Sequence, residues 1–390
     1  MSKGKKFVAG CCITIGVGMA LCIAGFAMGS RVTGVSLGAD GISVYTPQGK
    51  VGGDQGGSRN GEETLEKFDS IRIEADYADV FVQSAEEYGI SYQVDNRYRF
   101  SYEIKGGTLV VKEIADGGFN VGFVHFGYGM SNGAEKGRIT VRLPKGSELS
   151  EVVIDNDYGD IICGDFSAEK LEIDSDYGYV ELGEVESENA AISLDSGDFE
   201  LSSFSGGDMT VDSDYGNINI EEITARNLKF ETDSGNLSAG LVQAESFAVD
   251  SDYGDVELKD VTVGELNLIT DSGNISLAGI KTDNLMLDSA YGNVKGKNIE
   301  IAALTGEIDS GDCELEELAV KNVKLDSDSG NVILKLVTPL TDYSYQLETD
   351  FGNILLDGRD MGEKYQSLEQ GEKQMEIFCD SGNIEIDGVQ

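Results

Sequence analysis

Carboxylates that recur beside a repeated glycine are the side chains of this chain best suited to chemistry. Several copies place two aspartates before the glycine and one after it, which offers three oxygen ligands of the kind that calcium prefers. The spacing matches neither the EF-hand loop nor the glycine-rich nonapeptide of calcium β-rolls. Two interpretations therefore stay open, calcium binding and simple turn closure. The candidate calcium ligands are Asp155, Asp157, Asp160, Asp174, Asp176, Asp212, Asp214, Asp250, Asp252 and Asp255.

An aromatic residue often stands directly before the same glycine, and in most other copies a serine does. An outward row of tyrosines beside carboxylates could hold sugar rings or a peptide. The alternative is that the tyrosines cover the turn and the serines relieve crowding between them. A glycine-rich segment, 116–137, carries a second aromatic group together with the one histidine of the chain. The candidate ligand-binding residues are Tyr158, Tyr177, Tyr215, Tyr253 and Tyr291 in the row, and Phe123, His125, Phe126 and Tyr128 in the segment.

Catalysis has little support in the sequence. With one histidine in 390 residues, a serine or cysteine nucleophile could be activated only by His125, and no partner motif adjoins it. Paired carboxylates occur throughout the chain, so their presence does not identify a glycosidase. We expect a non-enzymatic protein without a cofactor. A β-helix enzyme that acts on polysaccharide is the alternative.

The glycines themselves follow a fixed period. Ten of them lie nineteen residues apart, from Gly159 to Gly330, and two further copies follow at Gly352 and Gly382. Such a period is typical of one supersecondary unit stacked on itself. Numbered from the glycine, apolar residues fill positions −7, −5, +2, +4 and +7, with polar residues between them. This alternation indicates strands with one buried face, which excludes a helical repeat, and a propeller blade would need about twice as many residues.

These columns predict an all-β fold. We expect a parallel β-solenoid, or single-chain β-helix, of about twelve coils with a nineteen-residue repeat, a β-rich N-terminal cap and one transmembrane helix before it. Each coil would bury about five side chains. The turn glycine would take a positive φ, and the neighbouring Asp and Asn would bond their own backbone two residues on. Ala290, Gly296 and Gly306 depart from the columns in one stretch, where we expect a soft spot or an irregular coil.

The chain divides into five segments. Residues 1–6 form a basic cytoplasmic tip, and 7–28 are an uncharged apolar run long enough to span a bilayer as a signal anchor. A cleaved signal peptide, which would give a secreted protein, is the alternative. Residues 29–64 form a flexible Gly/Ser-rich linker, 65–150 an N-terminal cap with a divergent repeat, and 151–390 the solenoid repeats. We therefore expect a single-pass protein of the cell membrane with its C-terminal part outside the cytoplasm.

Charge and cysteine usage limit the partners and the chemistry. The formal charge is −42, from 71 acidic and 29 basic residues. Such acidity argues against nucleic acid as a partner, because binding it relies on Lys and Arg, and it also repels anionic lipid surfaces. Cys163, Cys313 and Cys379 lie far apart in coil order, so we expect buried free thiols at these positions.

The Asp-Ser-Gly-Asn and Asp-Tyr-Gly-Asp units, with the stretches 71–82 and 139–144, resemble the bacterial adhesin family with β-strand repeats, a domain of unknown function found in cell-envelope proteins. The resemblance covers roughly residues 65–390, and Ala78 and Ala290 depart from its pattern. It implies an extracytoplasmic β-solenoid linked to adhesion or envelope stress, with no established active site. We expect a surface binding or scaffold protein that contacts the membrane through its N-terminal helix and binds a cell-envelope glycan or protein. A calcium-stabilised structural protein is a further alternative.

Overall fold

The computed structural model describes residues 34–38, 41–46, 49–51, 57–115, 119–121, 124–126, 136–367 and 371–389. The tip 1–6 and the apolar run 7–28 lie outside these ranges, so the transmembrane helix stays a prediction. Within the described ranges, no helix is long and apolar enough to cross a membrane. Contacts divide the chain into two compact units, Met1–Ser58 with Asp95–Arg99 and Ala115–Glu135, and Arg59–Val94 with Phe100–Ile114 and Lys136–Gln390.

Apart from one 3-10 turn at Leu340–Asp342, the regular elements of the described residues are β-strands. In chain order they are β1 Gly34–Gly38, β2 Gly41–Thr46, β3 Gly49–Val51, β4 Ser58–Thr64, β5 Ser70–Ala75, β6 Asp79–Ala85, β7 Gly89–Asp95, β8 Tyr98–Lys105, β9 Thr108–Ala115, β10 Phe119–Val121, β11 Val124–Phe126, β12 Arg138–Pro144, β13 Glu148–Asn156, β14 Ile161–Cys163, β15 Phe166–Tyr177, β16 Val180–Ser196, β17 Phe199–Tyr215, β18 Ile218–Thr224, β19 Asn227–Ser234, β20 Leu237–Tyr253, β21 Val256–Ser272, β22 Ile275–Tyr291, β23 Val294–Ser310, β24 Cys313–Ser329, β25 Val332–Leu336, β26 Tyr343–Phe351, β27 Ile354–Leu356, β28 Arg359–Asp360, β29 Lys364–Gln366, β30 Lys373–Ser381 and β31 Ile384–Asp387.

Two antiparallel elements make up most of the described part of the first unit. Strands β1, β2 and β3 form a three-stranded sheet in that order, and β10 pairs with β11 as a hairpin. The sequence predicts a flexible linker over 29–64, and the structure places β1, β2, β3 and β4 inside this range.

Most of the second unit is a stack of coils in which each strand pairs in parallel with the strand nineteen residues further along the chain. Leu266 lies opposite Leu285, and Leu285 lies opposite Leu304. From β15 to β24 these pairings keep one register. The predicted parallel β-solenoid with a nineteen-residue repeat is therefore confirmed, and the ten evenly spaced glycines mark its consecutive turns.

A regular coil buries up to seven side chains, two more than the sequence predicts. In β21 the buried residues occupy the five expected columns and also positions +9 and −3. Val263 and Ile301 fill +9 in their coils, whereas −3 is mostly serine or threonine. Removal of the apolar columns from water drives the stacking, at about 25 cal/mol per Å² buried.

The two C-terminal coils are stacked out of sequence order. Strand β30 pairs in parallel with β24 on one side and with β26 on the other. Strand β31 likewise lies between β25 and β27. The last coil of the chain, around Gly382, is therefore inserted between the coils of Gly330 and Gly352. An internal segment forms the outermost coil, and β28 and β29 pair with it antiparallel.

The N-terminal end of the stack is built in the same way. Strand β5 lies between β13 and β9, and β6 lies between β14 and β12. The coil around Ala78 comes first in the sequence but second in the stack. Strand β7 pairs antiparallel with β12, which covers an edge that would otherwise offer unpaired backbone groups. The segment 65–150, predicted as a cap, thus contains two coils of the stack.

The stretch around Ala290 forms a regular coil, so the expectation of an irregular one is wrong. Strands β22, β23 and β24 pair there without a register shift. A Cβ on Gly296 would lie 2.6 Å from Leu315 Cδ2, and a Cβ on Gly306 would lie 2.6 Å from Leu325 Cδ2. Leucines of the next coil therefore fill the volume that the two glycines leave.

Candidate functional site

The turn edge, which comprises positions −4 to +1 of each coil, carries the repeated polar and aromatic residues. Its backbone is held by close approach between glycines of successive coils. A Cβ on Gly254 would lie 1.9 Å from the carbonyl oxygen of Gly235. Gly254 also has a φ of 149°, which side chains rarely adopt. Both the predicted turn conformation and the contact between coils therefore require glycine.

The Asn and Asp side chains at +1 link one coil to the next. Asp255 Oδ1 accepts hydrogen bonds from the backbone N–H of Asn274 at 2.8 Å and from its side-chain amide at 3.0 Å. Asn274 Oδ1 in turn accepts the backbone N–H of Asn293 at 3.1 Å. This +1 ladder recurs from Asp79 to Asn353, with an interruption after Tyr179. The sequence predicts bonds to the residue's own backbone, but in-register stacking brings the next coil's N–H closer.

Carboxylates within the +1 ladder are kept apart. Asp198, Asp255 and Asp312 are each followed in the stack by at least two asparagines. Two charges about 5 Å apart would repel by roughly 1 kcal/mol even in water. Where aspartates do follow one another, at Asp79 and Asp160, the Lys136 Nζ lies 3.4 Å and 3.3 Å from their carboxylate oxygens.

Replacement of Asn274 by aspartate is expected to lower the melting temperature at low salt. The substitution removes the amide group that donates to Asp255 and puts two carboxylates in adjacent coils, at a cost of about 1–2 kcal/mol. High salt should recover part of the loss. The control Asn322→Asp adds the same charge between Ala303 and Gln374, which are uncharged. Equal melting of the two variants at every salt concentration would contradict the role of the ladder.

The acidic columns at −4 and −2 carry carboxyl groups with raised pKa values. Burial is the main cause, and the charge of neighbouring carboxylates adds to it. At −2, burial and then the charge of Asp195 raise the pKa of Asp176. The −4 residues with a raised pKa are Asp155, Asp174, Asp212 and Asp250. Burial and the neighbouring carboxylates therefore disfavour the charged form of these groups.

The predicted calcium ligands lie on two sides of the turn. Positions −4 and −2 precede the glycine, whereas the +1 carboxylate follows it and accepts the hydrogen bonds of the ladder. In the part of the chain that the structure describes, no group of three or more Asp, Glu, Cys or His is placed to hold a metal ion. The described residues therefore give no support to a calcium site, and hydrogen bonds to the next coil explain the ladder aspartates. The residues concerned are Asp155, Asp157, Asp160, Asp174, Asp176, Asp212, Asp214, Asp250, Asp252 and Asp255.

The predicted tyrosines form one exposed row along the turn edge. Tyr158 and Tyr177, in adjacent coils, stack with ring centroids 5.2 Å apart and ring planes 7° apart. Further along, the strand register alternates Tyr177, Ser196, Tyr215, Ser234, Tyr253, Ser272 and Tyr291. The exposed fractions of the alternating tyrosines are 56% for Tyr177, 63% for Tyr215 and Tyr253, and 65% for Tyr291.

The second predicted aromatic group is only partly described. His125 and Phe126 belong to β11 and lie opposite Asn120 and Phe119 in the hairpin. Phe123 and Tyr128 lie outside the described residues. A ligand-binding role for these four residues stays a prediction.

Sequence reasoning misses a buried polar column at −3, directly behind the turn. The hydroxyls of Thr270 and Ser289 lie 3.3 Å apart, whereas Ser213 and Ser251 have no hydrogen-bond partner for their buried oxygen atoms. An unpaired buried hydroxyl costs roughly 1–3 kcal/mol of folding free energy. Serine and threonine must therefore be favoured at this position because they are small, despite being polar. Leu194 and Ile308 at this position were the signal that the column faces inward. The buried hydroxyl residues are Ser175, Ser213, Thr232, Ser251, Thr270, Ser289, Ser327 and Thr349.

A buried carboxyl group stands in the same column at the N-terminal end of the stack. Glu113 lies opposite Ala75 in the strand register and is fully buried. Its carboxylate accepts backbone N–H groups from Tyr77 at 2.9 Å and Ala78 at 3.3 Å. Burial raises the pKa of Glu113 to about 7, although the two N–H donors favour the charged form.

The variant Glu113→Gln should change the pH dependence of stability. Because the folded-state pKa is raised, the folded protein binds the proton more tightly, and this group's contribution to stability is lost as pH rises through about 7. Between about pH 5 and about pH 8, the free energy of unfolding of the wild type should fall by up to about 3 kcal/mol relative to that of the variant. Urea unfolding of both proteins across this range measures the difference. Parallel pH profiles would contradict it.

The three described cysteines are free and buried, as expected. Burial raises the pKa of Cys163 and of Cys313 to about 12. Both thiols are therefore protonated at neutral pH, which makes them unsuitable as nucleophiles.

Family comparison agrees with this architecture. The sequence model of the Toastrack DUF4097 family matches residues 68–251 and again residues 225–387. The chain belongs to the Toastrack DUF4097 family. The two matches overlap where β19 and β20 pair in register, so the Toastrack repeats of this chain form one continuous stack rather than two domains. The family resemblance of the repeat units is thus confirmed. Among curated proteins, no sequence matches the chain.

Several solved structures are similar to this Toastrack chain at low identity. A putative lipid binding protein from Parabacteroides distasonis is 20% identical, with 71% of this chain and 96% of that chain covered and a TM-score of 0.34. A putative adhesin from the same organism is 14% identical, with 71% and 97% covered and a TM-score of 0.32. A putative cell adhesion protein from Clostridium sporogenes is 11% identical, with 85% and 100% covered and a TM-score of 0.18. At these values the likeness carries no conclusion about a ligand.

Proposed function

We propose that this Toastrack protein is a non-enzymatic binding protein of the cell surface and that its turn edge contacts the ligand. The exposed row of tyrosines is the observation that carries the proposal. Large aromatic side chains are enriched where proteins bind partners, because they bury much apolar area and can still hydrogen-bond. Four tyrosines in line that stay more than half exposed contribute little to the fold itself.

The stack holds this row in a fixed arrangement. The +1 ladder and the glycine contacts fix the backbone directly beside the tyrosines. Binding would therefore have to order only side chains, which lowers the entropy cost of association.

An extracytoplasmic location fits the same proposal. The run 7–28 with the lysines before it would anchor the chain in the cell membrane with the solenoid outside. The charge of −42 would keep the solenoid soluble and away from anionic lipid surfaces.

Binding to bacterial envelope preparations tests the proposal. We compare the full-length protein with the variant Tyr177→Ser/Tyr215→Ser/Tyr253→Ser/Tyr291→Ser, because serine already occupies this position in alternate coils. Unchanged melting would show that the variant keeps its fold. The wild type should bind saturably, and the variant should bind at least about tenfold more weakly. Equal binding would exclude the turn edge as the contact surface, and turnover of envelope polysaccharide would favour the enzyme alternative.

A further inference from the structure

The alternation of tyrosine and serine divides the aromatic row into slots. We define three slots, each formed by a serine and the tyrosines of the two flanking coils. Their central residues are Ser196, Ser234 and Ser272. Coils are spaced by roughly 4.8 Å, so the tyrosines on either side of a slot lie about 9.6 Å apart.

The stacked pair at the N-terminal end of the row shows how the rings lie. Tyr158 and Tyr177, in adjacent coils, stack with nearly parallel ring planes. With the same orientation, the two tyrosines of a slot present opposed ring faces. A cation at the centre of the slot would lie about 4.8 Å from each ring, inside the roughly 6 Å limit for a cation–π contact.

The charge around the slots is mostly negative, and Lys229, which pairs with Glu231 at −4 of the central slot coil, is a basic exception. No Lys or Arg occupies positions −4 to +1 in any of the twelve glycine-centred copies. At −2, the slot coils themselves carry Asp195, Asp233 and Asp271, all exposed. Opposed aromatic faces beside carboxylates are complementary to the side chains of lysine and arginine.

The distance between slots selects one peptide conformation. A polyproline II helix has three residues per turn and rises about 3.1 Å per residue, so every third side chain recurs after about 9.3 Å. The slots recur after about 9.6 Å. Across the two steps that join the three slots, the mismatch adds up to only about 0.6 Å.

We propose that the three slots bind a basic polyproline II peptide segment with Lys or Arg at every third residue, one cation in each slot. This inference rests on the proposed function and specifies its ligand class. The tyrosine faces hold the cations, the −2 aspartates balance their charge, and the serines leave the space that the side chains enter.

Two fluorescently labelled peptides of equal composition test the spacing. One repeats Pro-Pro-Lys four times, and the other carries the same residues with lysines two and four residues apart. Titrated with the full-length protein at near-physiological salt, the regular peptide should bind about tenfold more tightly, because the irregular one cannot fill all three slots. Equal affinity would mean diffuse attraction to an acidic surface and would overturn the proposal.

Variants of the row test the slots themselves. Ser234→Tyr closes the central slot without removing an aromatic or acidic group, and the stacked Tyr158 and Tyr177 show that adjacent rings are accommodated. Ser234→Tyr should weaken the binding of the regular peptide about fivefold or more. Tyr253→Ser, which removes one ring from each of two slots, should weaken it by a similar factor. Phe351→Ser, outside the slots, should have no effect.

The outcomes separate the ligand class from the function. Unchanged peptide affinity in Ser234→Tyr would contradict the slots. If a neutral oligosaccharide binds more tightly than the regular peptide, and if Tyr253→Ser abolishes that binding, then the tyrosine row binds sugars. That result would overturn the proposal of a peptide ligand. If envelope binding depends on the tyrosines while both peptides bind alike, the proposed function stands and this ligand class falls.

Discussion

Replacement of Gly254 by alanine is expected to destabilise the coils around it by about 3 kcal/mol or more. The new Cβ would lie 1.9 Å from the carbonyl oxygen of Gly235, far inside contact distance. Relief requires movement of backbone in two coils, and the φ of 149° adds strain for any side chain. Chemical denaturation measures the loss. Hydrogen exchange should place it in the coils next to Gly254, because repeats contact only their neighbours.

Gly164 provides the matched control for this substitution. A Cβ there would lie 3.6 Å from the carbonyl oxygen of Val82, an ordinary contact. Gly164→Ala should therefore change stability by no more than about 0.5 kcal/mol. If Gly254→Ala has the same melting temperature as the wild type, close approach between coils is not the reason for the glycine column.

Removal of residues 371–390 is expected to unfold a segment that the truncated chain still contains. Strand β30 lies between β24 and β26, so its loss deprives both of a parallel partner. It also removes Met375, Ile377, Ile384 and Ile386, whose side chains are nearly or fully buried. At about 1.5–3 kcal/mol for each such side chain, the loss is several kcal/mol. Residues 343–366 should become sensitive to protease.

A longer truncation shows whether the damage comes from loss of the inserted Gly382 coil or simply from a shorter stack. Removal of residues 338–390 takes away both C-terminal coils and leaves the Gly330 coil at the end of an otherwise unbroken stack. The remaining coils should then stay resistant to protease, apart from the new terminal one. Protection of residues 343–366 after the shorter truncation would contradict the stacking order of Gly330, Gly382 and Gly352.

The sequence predicts the solenoid well because its main columns are chemically uniform. Apolar residues at five positions, such as Leu266 and Leu268, leave one way to bury all of them. The −3 column escapes this reasoning because most of its members are polar. These residues face inward because they are small enough to pack beside the glycine turn. Their polarity alone does not indicate this inward orientation. A Cβ on Gly178 would already lie 3.2 Å from the Ser175 oxygen.

The order of the end coils has no signal in the sequence. Spacings of 22 and 30 residues before Gly352 and Gly382 indicate insertions but do not say which coil lies outside. Only the pairing of β30 with both β24 and β26 decides it. Ala78 can stand at the glycine position because its neighbour in the outer coil is Gly137, where an added Cβ would lie 3.0 Å from the Ala78 Cβ.

The candidate site is predictable in part as well. The tyrosine row follows from the −1 column, and its alternation with serine is plain from the sequence. Among the described residues the acids are not grouped into calcium triads, because neighbours in the sequence face different partners across the turn. Asp255 bonds to the next coil instead of joining Asp250 and Asp252.

Oxidative footprinting of the full-length protein bound to envelope preparations tests the central claim most directly. It reports the solvent exposure of each tyrosine with and without the ligand, at its natural position. We predict protection of Tyr177, Tyr215, Tyr253 and Tyr291, with Phe351 unchanged as the internal reference. Saturable binding that leaves these four tyrosines as reactive as in the free protein would contradict the assignment of the turn edge as the binding surface.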